Sequence, residues 1–136
     1  MRYAVDPCLV TDILDGDPEW GERSARLFDA HQGDTLVMSS LAYLSLAPAF
    51  GGRRRFQDEF LAGLGISAVG SGPETSFDAA YDACSRYHRD NPDVGSGYMP
   101  LGLFASGAVA LACDGILTRH AELYRRYFPS LKVSEP

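Results

Sequence analysis

The sequence predicts an α/β fold in which a short, mostly parallel sheet lies between two layers of helices. Three observations carry that prediction. Short apolar segments alternate with longer stretches whose apolar residues recur three and four apart. Asp-Pro pairs at Asp6-Pro7 and Asp17-Pro18 stand where helices would begin, Asp as the cap and Pro as the first helical residue. Gly-rich breaks separate the segments. Strands that alternate with helices pair in parallel, since each crossover returns the chain to the same end of the sheet.

Tyr3–Val5 reads as a buried strand stopped by Asp6-Pro7, and Cys8–Leu14 as a short helix broken at Asp15-Gly16. Asp17-Pro18-Glu19 repeats the start signal. Trp20, Ser24, Leu27, Phe28 and His31 follow at helical spacing as far as Gly33. Thr35–Ser40 reads as a strand and Leu41–Phe50 as a helix ended by Gly51-Gly52. Arg53–Leu64 is an amphipathic helix with Phe56, Phe60 and Leu64 four apart, a stripe that is core or interface. Ile66–Val69 reads as a third strand and Gly70–Pro73 as a loop. Glu74–Tyr87 places Phe77, Tyr81, Cys84 and Tyr87 on one helix face. Asp90–Pro100 reads as a loop, Leu101–Cys113 as an apolar helix and Ile116–Thr118 as a strand. Ala121–Tyr127 is a short helix and Leu131–Ser134 a last strand.

The chain has 136 residues, 46% hydrophobic and 22% charged. Those are globular proportions, and the length suits one domain over residues 1–136. The net charge of -6 excludes a dedicated basic nucleic-acid-binding module but not a local contact with RNA. Cys8, Cys84 and Cys113 are odd in number and form no CxxC, which argues against a disulfide framework or zinc ribbon and for a reduced, cytoplasmic setting. The cysteines read as small buried hydrophobes. The segment MRYAVDPCLV does not read as a signal peptide, and no apolar run approaches the ~20 residues of a membrane span.

In parallel sheets of this kind the site lies outside the carboxyl ends of the strands. That singles out Asp6, the Ser39–Ser45 segment and Thr118–His120. Asp34 and Asp114 precede strands and belong at the opposite end.

Four segments in this order resemble the PIN domain family, and within it the VapC-type toxins of bacterial toxin–antitoxin pairs. They are Tyr3–Val10, Ser39–Pro48, Leu101–Cys113, and Ile116–His120 with Tyr124–Pro129. The resemblance implies a PIN-like three-layer α/β/α sandwich and metal-dependent RNA cleavage by three or four carboxylates at the strand ends. Carboxylates suit that task because Mg²⁺ and Mn²⁺ prefer oxygen ligands, and the metal orients a water and stabilises charge on phosphate.

Of the four acidic positions the resemblance assigns, only Asp6 is acidic here. Ser45 stands at the Glu position, Gly102 at the second Asp position and His120 at the last. Pro7 stands where a Thr usually follows the first acid, removing a hydroxyl and a backbone N–H. Asp6 is either an N-cap or a metal ligand, and the two roles are compatible. His120 is either a partly solvated residue near a helix start or, with Asp6, a ligand for Mn²⁺, Zn²⁺ or Ni²⁺. Ser45 is too weak a ligand to replace Glu and can bond back to its own helix. Asp90 and Asp93 are solvated loop acids or stand-ins for the missing carboxylate. Arg53, Arg54 and Arg55 are a solvated helix start or a contact for RNA or an acidic partner.

The substitutions imply a protein that has lost most or all metal-dependent cleavage and acts through binding, with no cofactor. The alternative is a weakly active endoribonuclease toxin that uses Mg²⁺ or Mn²⁺. The partners implied are a second copy of the chain, an antitoxin-like protein, and RNA.

Overall fold

The computed structural model of the chain describes residues 1–70, 74–93 and 100–136. Five strands form one sheet: β1 (Arg2–Val5), β2 (Thr35–Ser39), β3 (Ile66–Gly70), β4 (Gly115–Leu117) and β5 (Val133–Ser134). Their spatial order is β3-β2-β1-β4-β5, and every pairing is parallel. Helices α1 (Pro7–Leu14), α2 (Gly21–Ala30), α3 (Ser40–Ser45), α4 (Arg54–Gly63), α5 (Glu74–Asp90), α6 (Leu101–Ala110) and α7 (Ala121–Tyr127) connect them. The α/β class and the parallel sheet are as predicted.

The layers follow from the alternation of side chains along each strand. Tyr3, Val5, Leu36, Met38 and Leu117 face one side and pack with Leu9, Val10, Phe28, Leu46, Phe50 and Leu61 from α1, α2 and the α3–α4 region. Ala4, Val37 and Ile116 face the other side and meet Ala83, Phe104, Val109, Tyr124 and Phe128 from α5, α6 and α7. The sheet thus divides two separate apolar cores. Asp114 accepts the Arg2 N–H at 2.7 Å, and Asp34 lies 2.7 Å from His31 Nδ1, at the amino ends of the strands as expected.

Several boundaries differ from the predicted ones. The helix predicted over Leu41–Phe50 stops at Ser45, and the chain then turns until Gly51 and Gly52, whose φ values of 61° and 71° favour glycine. Helix α5 runs past Tyr87 to Asp90, so Asp90 is helical rather than part of a loop. The predicted apolar face of α5 splits. Cys84 and Tyr87 pack on the second core, while Phe77 and Tyr81 are 69% and 65% exposed. The Phe56–Phe60–Leu64 stripe borders the first core: Phe60 and Leu64 pack partly buried against it, Phe56 is exposed, and Phe50 meets both Phe rings edge-on. Most of the predicted Gly70–Pro73 loop and residues 94–99 of the predicted Asp90–Pro100 loop lie outside the described residues. Among the described residues no helix is long and apolar enough to cross a membrane.

Candidate functional site

Strand order reverses between β1 and β4, which makes their carboxyl ends the crevice of the sheet. Ala4 pairs with Ile116 and Val5 with Leu117, so one step further Asp6 comes opposite Thr118. The buried Thr118 hydroxyl donates to Asp6 Oδ2 at 2.6 Å. The Asp6 N–H donates to Leu117 O at 3.0 Å, and the His120 N–H donates to Thr118 Oγ1 at 2.9 Å. Asp6 Oδ1 accepts the Cys8 N–H at 3.4 Å and makes Asp6 the N-cap of α1, with Pro7 at its first position. Burial and the nearby Asp6 carboxylate push the Cys8 thiol up to about 12. The buried Tyr124 on α7 feels both the Asp6 carboxylate, which pushes its hydroxyl up further after burial itself, and Ser106 on α6.

The other positions singled out by the resemblance contribute little to this crevice. Ser45 is exposed, and its hydroxyl donates to Ala42 O at 2.6 Å, bonding back to α3. Gly102 has no side chain to offer, though a Cβ there would meet nothing within 4 Å. His120 is exposed at the start of α7 and reaches Asp6 through its backbone and Thr118 rather than its imidazole. Among the described residues no three His, Cys, Asp or Glu side chains form a group able to hold a metal ion. One carboxylate already bonded to a hydroxyl and a backbone N–H does not fit Mg²⁺ or Mn²⁺, which take several oxygen ligands.

The remaining candidates are engaged elsewhere. Asp90 accepts the Tyr127 hydroxyl at 2.8 Å and pairs with Arg126 at 2.9 Å, tying α5 to α7, while Asp93 is exposed. Arg53 lies over the Phe56 ring at 4.9 Å, Arg54 donates to the Tyr43 hydroxyl at 3.2 Å, and Arg55 pairs with Glu59 at 3.0 Å. These three arginines are exposed, but each has its own partner within the α3–α4 region.

A second buried acid beside the crevice escaped the sequence reading. Asp12 on α1 is 3% exposed, accepts the Ser24 hydroxyl at 3.2 Å and lies 3.1 Å from Arg119 Nε. The Arg119 contact is close but poorly aimed, an ion pair without a directed hydrogen bond. Burial pushes the Asp12 carboxyl up from its ordinary value, outweighing the opposing pull of Arg119 and Ser24. Arg119 also lies 5.8 Å from the Trp20 ring, which Arg23 approaches to 4.3 Å. Nothing local marks Asp12, because its partner comes from the distant turn after β4.

No protein-family model and no curated protein matches the chain. Among solved structures it is similar to a chain of VapBC2 from Rickettsia felis, a complex bound in its crystal to a DNA fragment from the VapBC2 promoter. The two share 14% identity with a TM-score of 0.62, over 99% of this chain and 98% of that one. At that identity the likeness is one of fold, and the fold is PIN-like.

Proposed function

We propose that this chain is a VapC-like PIN-domain protein that has lost most or all metal-dependent RNA cleavage and acts through binding. One observation carries the reading. Asp6, the acid retained at the strand ends, spends its carboxylate on Thr118 and on the first turn of α1, and among the described residues no three His, Cys, Asp or Glu side chains gather into a group able to hold a metal ion. A cleavage site of this class needs acids that converge on a cation. Here the same position does structural work. An antitoxin-like protein is the partner the likeness to VapBC2 favours, and a homodimer is the proposed assembly, which sedimentation equilibrium would report as twice 14.8 kDa.

The test is calorimetric titration of Mn²⁺ and Mg²⁺ into the protein and into Asp6→Asn, with an RNA cleavage assay alongside. The expected result is no submillimolar binding by either protein and no cleavage. Submillimolar Mn²⁺ binding that disappears in Asp6→Asn, or RNA cleavage that does so, overturns the reading.

A further inference from the structure

We propose that the cavity between α3, α4 and the turn joining them binds a free α-amino acid with an apolar side chain. The inference goes beyond the function proposed above and does not rest on it. The cavity measures about 450 Å³, and Tyr43, Leu44, Ala47, Arg54 and Asp58 stand in its wall. That size falls in the usual range of small-ligand pockets, roughly 300–1,000 Å³. Arg54 and Asp58 are four apart on α4, the spacing at which opposite charges usually pair. One residue further along the same helix, Arg55 and Glu59 do pair, at 3.0 Å. Arg54 and Asp58 form no such pair, because the Tyr43 hydroxyl stands between them. It accepts the Arg54 Nε–H at 3.2 Å and donates to Asp58 Oδ1 at 2.6 Å.

Tyr43 is itself fixed. The buried Gln57 side chain donates to Tyr43 O at 2.8 Å and ties the end of α3 to α4. The bond to Asp58 also raises the Tyr43 hydroxyl above its ordinary value, so it keeps its proton and its place between the two charges. Among the described residues, the terminal nitrogens of Arg54 and Asp58 Oδ2 have no protein partner. The wall therefore offers a guanidinium and a carboxylate held a short, fixed distance apart, beside the apolar side chains of Leu44 and Ala47. An α-amino acid is the complement of that arrangement. Its carboxylate suits the planar N–H fork of Arg54, and its ammonium suits Asp58. Its apolar side chain would cover Leu44, which is 62% exposed. A ligand with one charge would leave either Arg54 or Asp58 without a partner.

The test follows the amide NMR signals of the protein during titration with L-leucine, L-methionine and L-phenylalanine at millimolar concentrations. N-acetyl-L-leucine lacks the ammonium and stands for the end of a peptide; L-leucinamide lacks the carboxylate and stands for its beginning. The expected result is saturable shifts in α3 and α4 with at least one amino acid. For leucine, each one-charge analogue should bind roughly three- to tenfold more weakly. Arg54→Gln should erase the preference for leucine over leucinamide, and Asp58→Asn the preference over N-acetyl-leucine. Tyr43→Phe keeps both charges but lets them meet, and it should weaken leucine as well. Four outcomes overturn the site: no shifts with any of the three amino acids, shifts confined to other elements, analogues that bind as tightly as leucine, or binding unchanged in both charge variants. None of them touches Asp6, so the proposed function stands or falls by its own titration.

Discussion

Thr118 Oγ1 and Asp6 Oδ2 stand 2.6 Å apart, joining positions 112 residues apart in the chain. The bond is buried, and its acceptor is the carboxylate that caps α1. Thr118→Val keeps the shape and removes the donor, so the expected loss is about 1–3 kcal/mol. Asp6→Asn keeps a good capping residue and should cost less. Urea midpoints measure both; a Thr118→Val midpoint equal to wild type would show that the bond contributes nothing.

The Asp12–Arg119 pair makes a pH-dependent prediction. Arg119→Met strands a buried carboxylate, at an expected cost of about 3–5 kcal/mol near neutral pH. Burial already raises the folded value of Asp12 above its unfolded one. Its contribution is therefore most favourable at low pH and is lost as pH rises through the folded value. Without Arg119 that value rises further, so the deficit of the variant should shrink on acidification. Urea midpoints of both proteins across the acid range check this, and a deficit independent of pH would contradict it.

Gly107 and Gly63 make an opposed pair. A Cβ on Gly107 would overlap the Phe128 ring, which is itself buried, whereas a Cβ on Gly63 meets nothing within 4 Å. Gly107→Ala should destabilise by about 1–3 kcal/mol through overpacking. Gly63→Ala, in the last turn of α4, should stabilise by up to about 1 kcal/mol. Thermal denaturation of the two variants should give shifts of opposite sign.

Cysteine labelling reads the environment of Asp6 directly. With its thiol pushed up to about 12, Cys8 should carry about a thousandfold less thiolate near neutral pH than an unperturbed cysteine. In iodoacetamide time courses followed by mass spectrometry, Cys8 should be labelled after Cys84 and Cys113. Labelling of Cys8 first would mean that the crevice is more open and more polar than its burial indicates.

The open space at Gly102 allows the acid cluster to be rebuilt. The triple variant Ser45→Glu, Gly102→Asp, His120→Asp should bind Mn²⁺ in calorimetry more tightly than the natural chain. If the substitutions leave Mn²⁺ binding unchanged, these positions do not converge on Asp6.

What the sequence made legible was local. The Asp6-Pro7 pair announced a cap and a helix start because both signals lie within two residues of each other, and the alternation of short apolar segments with helices announced a parallel sheet. Asp12 was not legible, because an acid on a short helix looks solvated until Arg119 arrives from the turn after β4. The same holds for Tyr124, whose helical spacing says core but not that its hydroxyl ends beside Asp6. Phe77 and Tyr81 misled in the other direction: the period of α5 is real, but the neighbouring elements cover only its later turns.

β5 contributes only two residues to the sheet, yet its segment holds the chain that holds Asp6. Lys132 O accepts the Ile116 N–H at 2.9 Å, and Ser134 O accepts the Thr118 N–H at 3.1 Å. The outermost edge of the sheet therefore works as a latch on the crevice. Without that edge the Thr118 N–H loses its Ser134 partner, and Thr118 is the residue whose hydroxyl Asp6 accepts at the head of α1. A fusion or a partner that grips Val133–Ser134 would be felt at Asp6 without ever touching it.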